Sequence, residues 1–263
     1  MTTLRMKFAT LLAACGLGLA ASAAQAQTQT QTLRIATEGA YPPFNFVDAK
    51  GELQGFDVEI AKALCTEMKV ECTISAQAWD GIIPGLNAGQ YDAIVASMSI
   101  TPARLEAVNF TKPYYQAGAV LVAPKASDLA PTAESLAGKS LGVQRASTYA
   151  ALIDARFPKA DVRLYDKVEN HNLDLVTGRI DGVVAQRIAM SKWLESDDGA
   201  AFEIKGEAML DPEILGLGAG IAVRKDDTDL LARLDAALAT IKANGVYDEI
   251  NDRFFPFSMK PAD

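Results

Sequence analysis

Apolar positions along this chain follow two periods in turn, and the switches between them give an order of elements. Leu33-Arg34-Ile35-Ala36-Thr37 alternates apolar and polar and predicts a strand. From Asp57 to Met68, the residues Ile60, Ala63, Leu64 and Met68 share one helical face with Phe56 just ahead of them. Residues 71–75 predict a second strand. Asp80 stands where it can cap a short helix whose apolar face is Ile82, Ile83 and Leu86, and residues 92–96 predict a third strand. This β-loop-α repetition argues for a mostly parallel sheet flanked by helices. The apolar run 117–123 then reads as a crossover strand into a second series of the same kind. Its strands are predicted at 140–144, 162–165 and 180–185, and its helices at 149–157, 168–177 and 186–194. At Gly216-Leu217-Gly218-Ala219-Gly220 the chain turns back into a strand at 221–223. Asp226 or Asp227 then caps a long helix carrying Leu230, Leu234, Ala237, Leu238 and Ile241, which Gly245 ends before a short last helix. Two α/β units on one chain place a cleft between them, at the C-terminal ends of their strands.

The N-terminus does not belong to this pattern. Arg5 and Lys7 precede the apolar run Phe8–Ala20, and small residues follow, ending in Ala24-Gln25-Ala26. Residues 1–26 are therefore expected to be a cleaved secretory signal peptide. Leu12-Ala13-Ala14-Cys15 resembles a lipoprotein box, but the apolar run continues well past Cys15, so ordinary cleavage and a periplasmic product are expected. No later run reaches the ~20 apolar residues that a membrane helix needs.

Charge narrows the function. The chain carries a formal charge of −8, with 25 basic and 33 acidic residues. Loss of Arg5 and Lys7 with the signal would leave 23 basic residues against 33 acidic ones, or −10. An acidic exported protein is a poor partner for nucleic acid and a plausible host for a cationic solute. Beyond the signal only Cys65 and Cys72 remain, and an oxidising compartment predicts a disulfide between them. A metal site would need two more ligands, and the single histidine, His171, is distant in sequence; no metal and no cofactor are expected.

The chemistry concentrates at Ala96-Ser97-Met98-Ser99-Ile100-Thr101-Pro102-Ala103-Arg104. Thr101 is a good N-cap, Pro102 occupies the first helical position and Arg104 falls in the first turn. Hydroxyls, amides and a guanidinium thus gather at one strand-to-helix corner, an arrangement suited to a planar carboxylate. Segments 38–41 and 79–80 reach the same end of the first unit, and 146–148 and 186 reach the facing end of the second.

Ile35-Ala36-Thr37-Glu38-Gly39-Ala40-Tyr41-Pro42-Pro43-Phe44, Gly55-Phe56-Asp57, Trp79-Asp80-Gly81, Ser97-Met98-Ser99-Ile100-Thr101 with Arg104, and Gly178-Arg179-Ile180-Asp181 occur in that order. Together they resemble the periplasmic solute-binding proteins of polar amino-acid ABC importers. Within these, the chain is similar to the lysine/arginine/ornithine- and histidine-binding proteins, including their Cys-x6-Cys pair. Glu38, Trp79 and the run 169–175 resemble the octopine- and nopaline-binding branch. The resemblance implies the two-lobed type II fold, with lobe 1 at 32–115 and 216–263, lobe 2 at 119–212, and a ligand cleft between them. It implies a monomer that carries a cationic amino acid or derivative to a membrane permease and is not an enzyme. By position, Arg104 would clamp the ligand carboxylate, helped by the amides of Ser99 and Thr148 beside Ala96 and Ser147. Ser97 and Ser99 would receive the α-nitrogen. Tyr41 and Trp79 would sandwich the side chain, and Glu38 would meet its distal positive charge. Gln186 stands where binders of basic amino acids carry an acid against the α-ammonium, which would make an arginine-derived opine tolerable, while arginine or ornithine remains the broader expectation because Ser97 and Ser99 can still satisfy the amine. His171 is read as structural. An exported enzyme on the same scaffold, resembling cyclohexadienyl or arogenate dehydratase, is the alternative, and product formed from prephenate or arogenate would distinguish it. A receptor's ligand-binding domain is a third class.

Overall fold

The structure, a computed structural model, describes residues 32–116 and 118–261. The expected signal peptide, Cys15 included, lies outside the described residues. The first elements are β1 (Thr32–Thr37), β2 (Ala40–Tyr41), β3 (Asn45–Val47), β4 (Leu53–Gln54), α1 (Phe56–Met68) and β5 (Glu71–Ala76). A 3-10 turn at Trp79–Gly81 leads into α2 (Ile82–Asn87), β6 (Ala93–Ile94), α3 (Pro102–Ala107), β7 (Asn109–Phe110) and β8 (Ala119–Pro124). The second series runs β9 (Ser140–Gln144), α4 (Thr148–Arg156), β10 (Asp161–Tyr165), α5 (Val168–Val176), β11 (Gly182–Gln186), α6 (Arg187–Leu194) and β12 (Phe202–Met209). The chain then ends with β13 (Ala222–Val223), α7 (Thr228–Ala243) and α8 (Val246–Phe254).

Two five-stranded sheets form, each at the centre of one lobe. Their orders are β5-β1-β6-β13-β7 and β10-β9-β11-β8-β12. In each, three neighbouring strands pair parallel as the βαβ pattern requires. The returning strands β13, β8 and β12 pair antiparallel, so both sheets are mixed rather than uniformly parallel. One core forms where α1, α7 and α8 pack together, around Ile35, Phe56, Ile60, Leu64, Leu234, Leu238 and Tyr247. Residues Leu121, Leu141, Val143, Leu152 and Ile153 build a second, and smaller clusters lie under α2 around Ile82, Leu86 and Ile94 and in the second sheet around Val120, Val122 and Val183. Cys65 on α1 and Cys72 on β5 are disulfide-bonded with Cα atoms 6.1 Å apart. Lys69, left-handed at φ 55, turns the chain between them.

Two segments cross between the sheets, β7 to β8 and β12 to β13. The returning one is bound to the corner where β6 meets α3: the amide of Ile100 donates to Gly218 O at 2.8 Å, and Gly220 N donates to Met98 O at 2.9 Å. Gly216 sits there at φ +82, and a Cβ on it would collide with the Ile100 carbonyl.

Three local expectations change. Gly81, not Asp80, is the N-cap of α2, and no side chain caps that end. Asp80 instead faces Arg145, at 3.6 Å. The loop after β1 contains a three-stranded sheet, β2-β3-β4. Strand β12, absent from the expected order of strands, alternates Phe202, Ile204 and Ala208 with Glu203, Lys205 and Glu207 and closes the edge of the second sheet against β8.

Candidate functional site

The C-terminal ends of β1, β6 and β9 converge, and each delivers its groups by a local rule. After β6, Ser97 takes a left-handed conformation at φ +53. The chain then enters α3, with Thr101 Oγ1 accepting from the Arg104 amide at 3.3 Å and Pro102 in the first turn. After β9, Ala146 turns left-handed at φ +56. Ser147 then caps α4, its Oγ accepting from Ala150 N at 3.2 Å while donating to Gln144 O at 2.6 Å. Both corners therefore hold their side chains through hydrogen bonds made by the capping residues themselves.

Glu38, Tyr41, Trp79, Ala96, Ser97, Ser99, Arg104, Ser147 and Thr148 line one cleft between the two sheets. Gln144 and Tyr149 line it as well, and nothing in the sequence reading singled them out. Their signal was positional: they flank the Ser147 cap, at a strand end and in a first helical turn. Gln186 stands apart from that lining. Its Oε1 accepts from Ala189 N at 2.9 Å, capping α6, and its Nε2 donates to the Tyr115 hydroxyl at 3.1 Å. His171 is fully buried under β9, where its ring meets Tyr165 edge-on at 6.0 Å. Both of its nitrogens lack a hydrogen-bond partner among the described residues.

At one end of the cleft is Arg104. Its Nη1 donates to Ser99 O at 3.0 Å, its Nη2 donates to Ala146 O at 3.3 Å, and its guanidinium lies 5.2 Å from the Trp79 ring. Those partners are carbonyls and a π face, not carboxylates. Burial draws the group down to about 10, which marks a cation held without an anion. At the other end Glu38, 8% exposed, accepts from Gln144 Nε2 at 2.5 Å. Burial pushes its carboxyl up to about 7, against the pull of that hydrogen bond and of Lys167. Tyr41 stacks on Phe44 at 5.9 Å, which fixes its ring as a wall. Trp79 Nε1 reaches Ala146 O at 3.4 Å, so this wall also spans the cleft.

Beneath the floor lies Asp57 at the start of α1, 0% exposed. It accepts from Tyr114 OH at 2.6 Å, Asn45 Nδ2 at 2.7 Å and Ser97 Oγ at 2.8 Å. Asn45 Oδ1 in turn accepts from Gly39 N at 2.8 Å, which ties the Glu38 loop to the same carboxylate. A wider cavity elsewhere is lined by Arg34, Asp92, Arg224 and Asp227. Arg34 pairs with Asp92 at 2.7 Å and Arg224 with Asp227 at 2.6 Å, so those charges answer one another. The cleft, with its separated and unanswered charges, is the better site for a ligand.

Known proteins resemble this chain in sequence and fold. Residues 33–257 match the family of bacterial extracellular solute-binding proteins, family 3. The ABC transporter arginine-binding protein 1 of Escherichia coli is 40% identical over 224 residues, covering 85% of this chain and 90% of that protein. A Salmonella typhimurium periplasmic binding protein of high arginine specificity superimposes with a TM-score of 0.80 at 35% identity, over 86% of this chain and 99% of that one. An ancestral amino acid-binding protein, a precursor of cyclohexadienyl dehydratase, superimposes with a TM-score of 0.77 at 30% identity, over 85% and 95%.

Proposed function

Because this chain belongs to family 3 of the bacterial extracellular solute-binding proteins, we propose that it captures L-arginine in the cleft and delivers it to the membrane permease of an ABC importer. The observation that carries this reading is a half-buried cation and a buried acid that line one aromatic-walled slot without pairing with each other. Among the described residues, Arg104 lacks a carboxylate partner and Glu38 lacks a cationic one within hydrogen-bond distance. A free amino acid with a distal guanidinium supplies both at once: its carboxylate meets Arg104 bidentately and its guanidinium meets Glu38. Tyr41 and Trp79 cover the planar group between them. Ser99 N and Thr148 N supply further donors to the carboxylate, and the oxygens of Ser97 and Ser99 accept from the α-nitrogen.

Lobe 1, at 32–115 and 216–263, carries Glu38, Tyr41, Trp79, Ser97, Ser99 and Arg104 in this reading. Lobe 2, at 119–212, closes over the ligand with Gln144, Ser147 and Thr148 as the crossovers bend. The protein acts as an exported monomer and performs no chemistry on what it binds. Specificity for an opine would need Gln186 turned toward the ligand, and its amide is engaged by Tyr115 and by α6.

Calorimetric titration of the mature protein with arginine, ornithine, lysine, histidine and octopine tests the proposal. Arginine is expected to bind tightest; a tighter octopine complex, or no binding by any of them, would overturn it. Incubation with prephenate and arogenate completes the test, since product formation would assign the site to a dehydratase.

A further inference from the structure

Binding an amino acid requires a negative site for its α-ammonium, and the cleft presents none where one is expected. Gln186 is neutral, its carbonyl oxygen caps α6 and its amide donates to Tyr115. Glu38 lies at the other end of the slot. Resting on the amino-acid reading above, we propose that Asp57 provides this charge from beneath the floor, acting through Ser97 as a positioning residue for the ligand's α-ammonium.

Three observations lead there. First, the Asp57 carboxylate is wholly buried, and its three partners, Tyr114, Asn45 and Ser97, are all neutral donors. Such an arrangement matches the ionised form, which has only acceptors to offer. Burial still pushes the Asp57 carboxyl up, and the three hydrogen bonds oppose that push. Second, Ser97 is the one of these partners that lines the cleft. A serine hydroxyl has a single proton, and Ser97 donates it to Asp57 Oδ2 at 2.8 Å. Toward the ligand, Ser97 Oγ can therefore only accept, which suits an ammonium and discriminates against an acceptor. Third, the geometry of Ser97 is imposed. Its φ of +53 is unusual for a residue with a Cβ, and its amide is held by the Tyr114 hydroxyl at 3.1 Å. The same hydroxyl donates to Asp57 Oδ1 at 2.6 Å. Asp57 thus fixes both the backbone and the hydroxyl of the residue that meets the amine.

This moves the amine's counter-charge from the second lobe to the first. Recognition of the α-ammonium is then complete before the cleft closes, and closure is left to read the carboxylate and the distal group.

The test compares L-arginine with 5-guanidinopentanoate, its analogue lacking the α-amino group, by calorimetry on wild type and two variants. Asp57→Asn keeps the shape and removes the charge. It is expected to weaken arginine by about tenfold or more while changing the analogue by less than about threefold. A carboxylate that merely held the fold together would weaken both ligands by the same factor, and that result would overturn the proposal. Ser97→Gly severs the link while leaving the Asp57 carboxylate its bonds from Tyr114 and Asn45, and glycine accepts φ +53 freely. It too should erase most of the preference for arginine over the analogue. Retention of that preference in Ser97→Gly would equally overturn the proposal, even were Asp57→Asn to misfold. Failure of wild type to bind arginine at all would instead overturn the functional reading on which this one rests.

Discussion

The strongest handle on the site is the titration of Glu38. Its carboxyl is pushed up to about 7 by burial, with Gln144 as its neutral partner. A cationic ligand binds the ionised form, so affinity should follow the ionised fraction in the free protein. That fraction is about one half at pH 7, about one tenth at pH 6 and about one in thirty at pH 5.5, given a carboxyl near 7. The dissociation constant for arginine should therefore rise by about tenfold per unit as pH falls below 7, and level off above about pH 8. Binding at pH 7 should release about half a proton, because the guanidinium brings the carboxyl back down.

Calorimetry at pH 7 in two buffers of different ionisation enthalpy measures that proton directly. A titration series from pH 5.5 to 8.5 gives the affinity slope. Glu38→Gln should bind arginine more weakly at pH 8, by about 2 kcal/mol or more, since one member of a buried charge pair is gone. It should also lose the slope. A wild-type dissociation constant constant within a factor of two across that range, with buffer-independent heats, would refute the argument. Glu38 would then be ionised in the free protein and its burial less costly than the geometry implies.

Other consequences are sharper in sign than in size. Arg104→Lys keeps the charge and loses the bidentate fork; arginine affinity should fall by about 2 kcal/mol or more, and an unchanged calorimetric constant would remove the α3 corner from the site. Reduction of Cys65–Cys72, a short loop, should lower unfolding stability by about 2.5 kcal/mol, read as a shift of the urea midpoint with and without reductant. Burial drives His171 down from its ordinary 6.5 to about 4. Since the unfolded chain takes up that proton first, stability should be lost as pH falls from about 6.5 to about 4, by up to about 3 kcal/mol. His171→Leu should flatten that part of the denaturation profile, and an unaltered acid limb would show that the ring does not stay neutral.

Much of this molecule is written in local sequence. Thr101 and Ser147 read as caps because a hydroxyl ahead of a helical run satisfies its own first-turn amides, and both do so. Nine of the ten expected ligand-binding positions line the cleft, since strand ends and caps bring them there by chain direction alone. Long-range packing decides what was not legible. Strand β12 alternates Phe202, Ile204 and Ala208 with charged residues, yet one of those charges is inside: Lys205 is buried while donating to Ser127 O at 2.6 Å and pairing with Glu203 at 2.6 Å, partners that the local pattern cannot show. Asp57 reads as an acid in a helix's first turn. Its real partners, Ser97 and Tyr114, lie 40 and 57 residues away, a separation that no helical period can reveal. Gln186 has the expected backbone position, but its amide is taken by a helix cap and a tyrosine from the other side of the fold.

The same packing explains why the site is built from charges that the protein leaves unanswered. An Arg104–Glu38 ion pair would stabilise the fold and leave nothing for a solute to do. The chain instead holds them at opposite ends of the cleft, each facing neutral groups, at a cost visible in the depressed guanidinium and the raised carboxyl. Raising Glu38 above its unfolded value means that its contribution to stability is present below about pH 4.5 and lost as pH rises through about 7. His171 works in the opposite direction over nearly the same range. The two pH slopes therefore oppose each other between about pH 4.5 and 6.5 in the free protein, and near neutral pH the His171 contribution is present while that of Glu38 is being lost. A zwitterion with a distal cation reverses the costs at Arg104 and Glu38 and leaves that of His171 untouched, so its binding energy is drawn from a strain that folding had already placed in the cleft.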